Sequence, residues 1–328
     1  MKKLNYLTKT LIVSTIVICA FFFMHLNSSG KVETHSYDNT PVVEQNGNGQ
    51  EPTNIDLYSL YYSAKSSENL NMLSIDEKNM VKNKIREFEI SPLLEKGMNG
   101  GLYDVWLYIQ ICSLFEEEVR SKSLLISYIE SLYSPKGFYL SHNKEDTQQT
   151  SVNYLLSTKM ALESLDLLKH STLNSEQIYS WLSNDVMQTI DNSQYDPISE
   201  GDLLFLIASL ENNLRAEKVH PFNFERNIER VKESLISLED SFEKLDTIVK
   251  LNTLLDEKIL IDKVDAANRF KAIQLKDGGF PMYGDINQSA DILTTYLILN
   301  IRSSLILDFP ISENDKTFIN DSLISSFY

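Results

Sequence analysis

Asp104 and Asp291 each stand at the opening of a strongly apolar run, "VWLYIQICSLF" and "ILTTYLILNI". Two carboxylates held across a groove can serve as acid and base on a glycosidic bond, with their separation setting the stereochemistry. Tyr103, Trp106, His142, Asp146, Asp202, Tyr283, Asp285 and Tyr296 occupy similar places, near the starts of apolar runs or in the polar loops before them. Such a mixture of aromatic and polar side chains suits the lining of a ligand cavity. Each has a plainer role as well. An acid near a helix start accepts backbone N–H groups and complements the helix dipole, so Asp56, Asp202 and Asp291 read first as caps. Tyr103, Trp106 and Tyr108 lie in a run that is apolar all round and read first as core aromatics. His142 reads first as a solvated loop histidine.

Other chemistries find little footing. Beyond residue 30 the chain offers Cys112, His35, His142, His170 and His220, none at ligand-like spacing, so no metal is expected. The "GNG" at Gly47–Gly49 follows no strand and makes no phosphate loop, and no cofactor is expected. A formal charge of −16 and a pI near 4.8 disfavour nucleic acid as a partner. Only 2 tryptophans are present, which weakens the case for a sugar-stacking groove.

The elements that must position these residues are helices. From Asp56 onward the helical period dominates and strand-like alternation is nowhere sustained. Twelve helices are predicted, at 55–70, 75–90, 101–116, 119–134, 147–169, 174–191, 200–214, 222–239, 241–257, 262–275, 288–306 and 313–326. Two kinds alternate. Odd members are apolar nearly all round, whereas even members carry one stripe, as in Phe224, Ile228, Val231, Leu235 and Leu238. A stripe marks a helix with one wet face, and an all-round apolar helix must be covered on several sides, so odd helices belong inside and even helices outside. A single hairpin cannot bury its own inner helix, so the hairpins must stack.

The N-terminus is a separate object. Residues 1–9 are basic, and residues 10–26 are apolar and free of Asp, Glu, Lys and Arg, long enough for a short membrane span. The lysines precede the span and the acidic bulk follows, which puts the body outside the cytoplasm. A single-pass anchor in the cell membrane is expected, with secretion after signal cleavage as the alternative. Residues 27–54 are polar and aperiodic, a flexible tether, and residues 55–328 form the folded body. Cys112, the only cysteine of that body, reads as a small buried apolar residue.

Between the tenth and eleventh helices stands "RFKAIQLKDGGFPMYGDINQSADILTTYLIL". Gln274, Asp277, Gly278, Gly279, Phe280, Asp291, Thr294 and Tyr296 in it resemble the repeat of the prenyltransferase and squalene–hopene cyclase type. Gly137, Phe138 and Tyr154 match more loosely, and "DLYSLYY" from Asp56 aligns Tyr61 with Tyr296. The resemblance implies an all-α fold, an (α/α)6 toroid of six inner and six outer helices around a funnel-like cavity. The catalytic signatures of that family are missing: the chain has no Asp-x-Asp-Asp tetrapeptide and no recognisable zinc pattern. Fold alone does not transfer function. The expectation is therefore a membrane-tethered, extracytoplasmic protein that binds a ligand or partner at its cavity or rim without catalysis. Its partner is left open among a small molecule, a lipid, a glycan and a protein. A carbohydrate-active enzyme and an isoprenoid-handling protein are the alternatives.

Overall fold

A computed structural model describes residues 55–91, 94, 101–142, 151–172, 174–192, 195–214, 224–239, 241–255, 258–285 and 287–327. The anchor and tether expected within residues 1–54 lie outside the described residues. Among the described residues no helix is long and apolar enough to cross a membrane.

The protein is all-α apart from one short hairpin. Chain order gives α1 (Leu57–Asn69), α2 (Ile75–Glu87), α3 (Gly101–Leu114) and α4 (Lys122–Ser131). A two-residue ribbon, β1 (Tyr133–Ser134) against β2 (Phe138–Tyr139), precedes α5 (Ser151–Leu167). Next, α6 (Ser175–Trp181) runs through a π-helical stretch, Leu182–Val186, into α7 (Met187–Asn192). The rest are α8 (Pro197–Leu214), α9 (Phe224–Ile236), α10 (Phe242–Leu251), α11 (Lys263–Ile273), α12 (Ile292–Leu305) and α13 (Glu313–Ser325).

Side chains fix where these helices begin. Asp56, Asp262 and Asp291 cap α1, α11 and α12, while Ser74 and Ser312 close reciprocal capping boxes with Glu77 and Asp315. One start differs from expectation. The seventh predicted helix was placed from residue 200, but Asp196 accepts the N–H groups of Ile198 and Ser199 at 3.1 Å each and Pro197 takes the first helical position. Asp202 therefore lies inside α8 and caps nothing.

Four helix ends share a device the sequence does not advertise. Asn71, Glu116, Lys169 and Ile306 adopt left-handed backbone with φ of 53, 55, 53 and 54°. Behind each, an N–H reaches back five residues: Met72 to Ser67, Glu117 to Cys112, His170 to Leu165 and Leu307 to Arg302, at 2.8–2.9 Å. This is the Schellman closure, which commonly uses glycine. Here it ends α1, α3, α5 and α12 without one.

Six of the helices pack on one another in sequence, among them the apolar α3, α5, α8 and α12 and the more charged α1 and α10. α1 packs on α3, α3 on α5, α5 on α8, α8 on α10, α10 on α12, and α12 on α1. The described ends of the chain also meet, since α13 lies on α1 and the Asp56 N–H donates to the Ser326 carbonyl at 2.8 Å. α3 buries Leu102, Val105, Leu107, Ile109, Ile111 and Cys112 at every bearing. By contrast α9 buries the stripe Phe224, Ile228, Val231 and Leu235, as its period requires. Leu238 falls beyond the end of that helix and is exposed.

Two joints between hairpins are built alike. Gly278 and Gly279 take φ of 108 and 72°, and a Cβ on Gly278 would stand 2.2 Å from the Asn314 carbonyl oxygen. Gly137, with φ of 97°, faces the Gln177 carbonyl in the same way at 2.6 Å. After each glycine pair or its equivalent comes a fully buried ring whose N–H donates to a threonine of the next inner helix. Phe280 donates to Thr295 Oγ1 and Tyr139 to Thr158 Oγ1, each at 3.0 Å. This corrects the register read from sequence: Tyr139, not Phe138, is the counterpart of Phe280. Phe138 takes the place of Gly279, and its ring lies against Trp181, as Gly279 lies against Phe318. Beyond the loops the same register pairs Lys159, not Tyr154, with Tyr296.

Candidate functional site

Helix starts determine which side chains meet at the centre. Five residues past their caps Asp56, Ser241 and Asp291, the chains of α1, α10 and α12 present Tyr61, Asp246 and Tyr296, and the joint register adds Lys159 on α5. One turn further on, α1, α5 and α10 present Lys65, Glu163 and Lys250.

The contacts run from helix to helix. On α1, Tyr61 meets Trp106 of α3 edge-on, with ring centroids 5.4 Å apart. Trp106 Nε1–H donates to Glu163 Oε2 of α5 at 3.0 Å, and Lys159 pairs with Glu163 at 2.6 Å. On α8, Asp202 accepts from Lys250 and Thr247 of α10 at 3.0 Å each, and Lys250 also pairs with Asp246 at 2.6 Å. Asp246 and Glu68 act on the Tyr296 hydroxyl of α12, and the Tyr296 ring lies 5.5 Å from that of Tyr62, back on α1. The side-chain contacts of this belt thus join α1 to α3 and α5, α8 to α10, and α12 to α1.

Its two halves differ. Toward the helix starts the rings fill the space themselves: Tyr58, Tyr61, Tyr62, Tyr103 and Trp106 are in mutual edge or stacked contact. The Tyr62 and Tyr103 hydroxyls share a hydrogen bond of 3.3 Å. Burial, and then the neighbouring hydroxyls and carboxylates, pushes the Tyr61, Tyr62 and Tyr296 hydroxyls well up, so all three stay neutral donors. One turn deeper the charged side chains keep partial exposure, 24% for Glu163, 27% for Lys250 and 31% for Lys65. That deeper half keeps its polar atoms in contact with solvent.

Electrostatics there are those of paired ions. Burial by itself would lower Lys250, but Asp202 and Asp246 outweigh it and hold the ammonium charged. Burial raises Asp202, against the pull of Lys250, and the Asp246 charge raises it further. One ammonium thus serves two carboxylates. Glu163 is held by the indole and by Lys159. Such groups offer fixed donors and acceptors to a polar ligand rather than a poised proton.

The residues singled out in the sequence are distributed as follows. Tyr103 and Trp106 are 6% and 8% exposed, with rings stacked at 5.8 Å. Tyr296 and Asp202 are in the belt, the latter by pairing with Lys250 and not by the capping expected of it. Asp291 caps α12, accepting the Thr294 N–H at 2.7 Å and the Thr294 hydroxyl at 2.8 Å, with the Tyr58 hydroxyl at 3.5 Å. Asp104 is half-buried in the first turn of α3. Half-buried His142 shares a 2.8 Å hydrogen bond between its Nδ1 and the Ser141 hydroxyl. Asp285 is exposed and bound to the Asn287 N–H at 3.0 Å, which holds its carboxyl below the usual range. Tyr283 lies in the 3-10 turn Met282–Gly284, and Asp146 lies outside the described residues.

Lys159, Glu163, Asp246, Lys250, Tyr61 and Tyr62 were not foreseen as site residues. A signal for four of them was present: opposite charges four apart, Lys159 with Glu163 and Asp246 with Lys250, on helices read as interior. Among the described residues no group of three or more His, Cys, Asp and Glu side chains is arranged to hold a metal ion. Comparison with protein-family models, with curated proteins and with solved structures finds no match.

Proposed function

We propose that the chain is a membrane-tethered, extracytoplasmic α/α toroid that binds a polar ligand on the inner face of its ring, without catalysis. The observation that carries this reading is the set of polar and aromatic contacts that join α1 to α3 and α5, α8 to α10, and α12 to α1, within a succession of helix packing that returns to α1. The succession of inner-helix contacts, closing between α12 and α1, supports the toroid. The tether and the basic-then-apolar leader support the location. Glu163, Asp202 and Asp246 are each engaged by a basic partner or an indole, which supports binding over proton transfer.

Native mass spectrometry of the full-length protein, extracted from membranes in mild detergent, tests this reading. Wild type should carry a bound small molecule that Glu163→Gln together with Lys250→Met releases. Identical ligand-free masses for both proteins, after extraction from the native source, would sink it.

A carbohydrate-active enzyme is the second reading. It draws on Glu68, Glu163 and Asp246, carboxylates from three inner helices whose charges reach the Tyr61 or Tyr296 hydroxyl. Release of reducing ends from a polysaccharide panel, abolished by Glu163→Gln or Asp246→Asn, would favour it. An isoprenoid site is poorly served by this belt, since hydrocarbon against ion pairs leaves charges without solvent.

A further inference from the structure

At the other end of α1, where inner helices finish, a surface cleft of ≈ 370 Å³ opens between α1, α2 and α3. Its volume is within the range of roughly 300–1,000 Å³ typical of small-ligand sites. We infer that this cleft is a second binding site, sharing only Glu68 with the belt, for a short zwitterionic peptide with an apolar side chain.

The two walls are of opposite sign. One is α2, which presents Lys78 and Lys82. The other combines Glu116, and Glu68 paired with Lys65 at 3.0 Å, with the C-terminal ends of α1 and α3, where the helix dipoles place partial negative charge. Between them Leu73 and Phe115 supply an apolar floor. A molecule with a carboxylate at one end and an ammonium at the other complements both walls, and an apolar side chain covers the floor. A purely anionic ligand would meet the glutamates, and a purely cationic one would meet the lysines.

The charges are also available. Lys78 and Glu116 are exposed and have no ion pair or side-chain hydrogen bond among the described residues. Glu117, just outside the cleft, is taken by Arg86 through two hydrogen bonds of 2.8 Å, which leaves Lys82 only a longer 3.6 Å approach to it. The Ser67 and Cys112 carbonyls are closed off by the Schellman N–H groups of Met72 and Glu117. Ligand recognition therefore falls to the side chains.

Isothermal titration calorimetry of the full-length protein in detergent tests this, with Gly-Leu, N-acetyl-Gly-Leu and Gly-Leu amide as probes. Gly-Leu should bind, and each blocked form should bind about tenfold or more weakly, the worth of one charge-assisted hydrogen bond. Lys78→Glu and Glu116→Lys should each weaken Gly-Leu by a similar factor with unchanged thermal melting, since both side chains are exposed. No heat from Gly-Leu at roughly millimolar concentration would overturn the assignment. So would equal binding of the blocked forms, or wild-type affinity in both charge-reversed variants.

Discussion

Asp315 is the residue on which the Gly278–Gly279 joint most depends. It is 1% exposed, yet it accepts the Gly279 N–H at 2.8 Å, the Ser312 N–H at 2.7 Å and the Ser312 hydroxyl at 2.7 Å, and the Gln274 amide also donates to it. Asp315→Ala would remove half of the α13 capping box and strand the buried Gly279 N–H. Hydrogen bonds to a charged group contribute about 1.5–3 kcal/mol each, and an unsatisfied buried donor costs about 1–3 kcal/mol. The terms overlap because they share one carboxylate, so the expected loss is about 3–5 kcal/mol rather than their sum. Asp315→Asn keeps the shape and some acceptors and should cost about 1–2 kcal/mol. Urea unfolding followed by far-UV circular dichroism measures both, with a melting shift of about 2–4 °C per kcal/mol for a body of this size. The first joint provides the control. Its counterpart of Asp315 is fully buried Ile178, and Phe138, in the place of Gly279, pairs with Ser134 across the ribbon instead. Ile178→Asp should therefore destabilise, not stabilise. A loss below about 0.5 kcal/mol for Asp315→Ala, within the range of ordinary surface changes, would refute this account of the joint.

Ile306 is 77% exposed with φ of 54°, a left-handed backbone that costs a β-branched residue about 1–2 kcal/mol, so Ile306→Gly should raise stability by about 1 kcal/mol in the same urea assay. Gly278→Ala should lose more than a typical strain term, because its Cβ meets the Asn314 carbonyl at 2.2 Å and cannot be relieved by a rotamer change; thermal melting reads this directly. Burial pushes the Cys112 thiol up to about 11. The unfolded chain therefore loses that proton first, and stability falls as pH rises from about 9 to about 11, by roughly 2–3 kcal/mol in all. Cys112→Ala should flatten that part of the profile, measured as urea midpoints against pH. In the native state at pH 8 the same thiol should resist iodoacetamide until unfolding exposes it.

Much of the architecture was legible because it is local. A 3.6-residue apolar period says whether a helix has one wet face or none, and Phe224, Ile228, Val231 and Leu235 kept their stripe in the structure. Caps are local too, so Asp56 and Asp291 mark true helix starts. Asp202 was misread because Asp196-Pro197 is the stronger start signal and lies one turn earlier. The αL closures at Asn71, Glu116, Lys169 and Ile306 went unseen because no glycine announces them.

Sequence by itself thus determined the helices, their two kinds and the glycine joints, since each follows from interactions among residues a few positions apart. Only the tertiary structure decided which face of each helix meets which neighbour, and so brought Glu163 to Trp106, Lys250 to Asp202 and Tyr62 to Tyr296. Periodicity records that a face is covered but not by what. The partner on a neighbouring helix is chosen by how whole helices pack, over separations of tens to hundreds of residues.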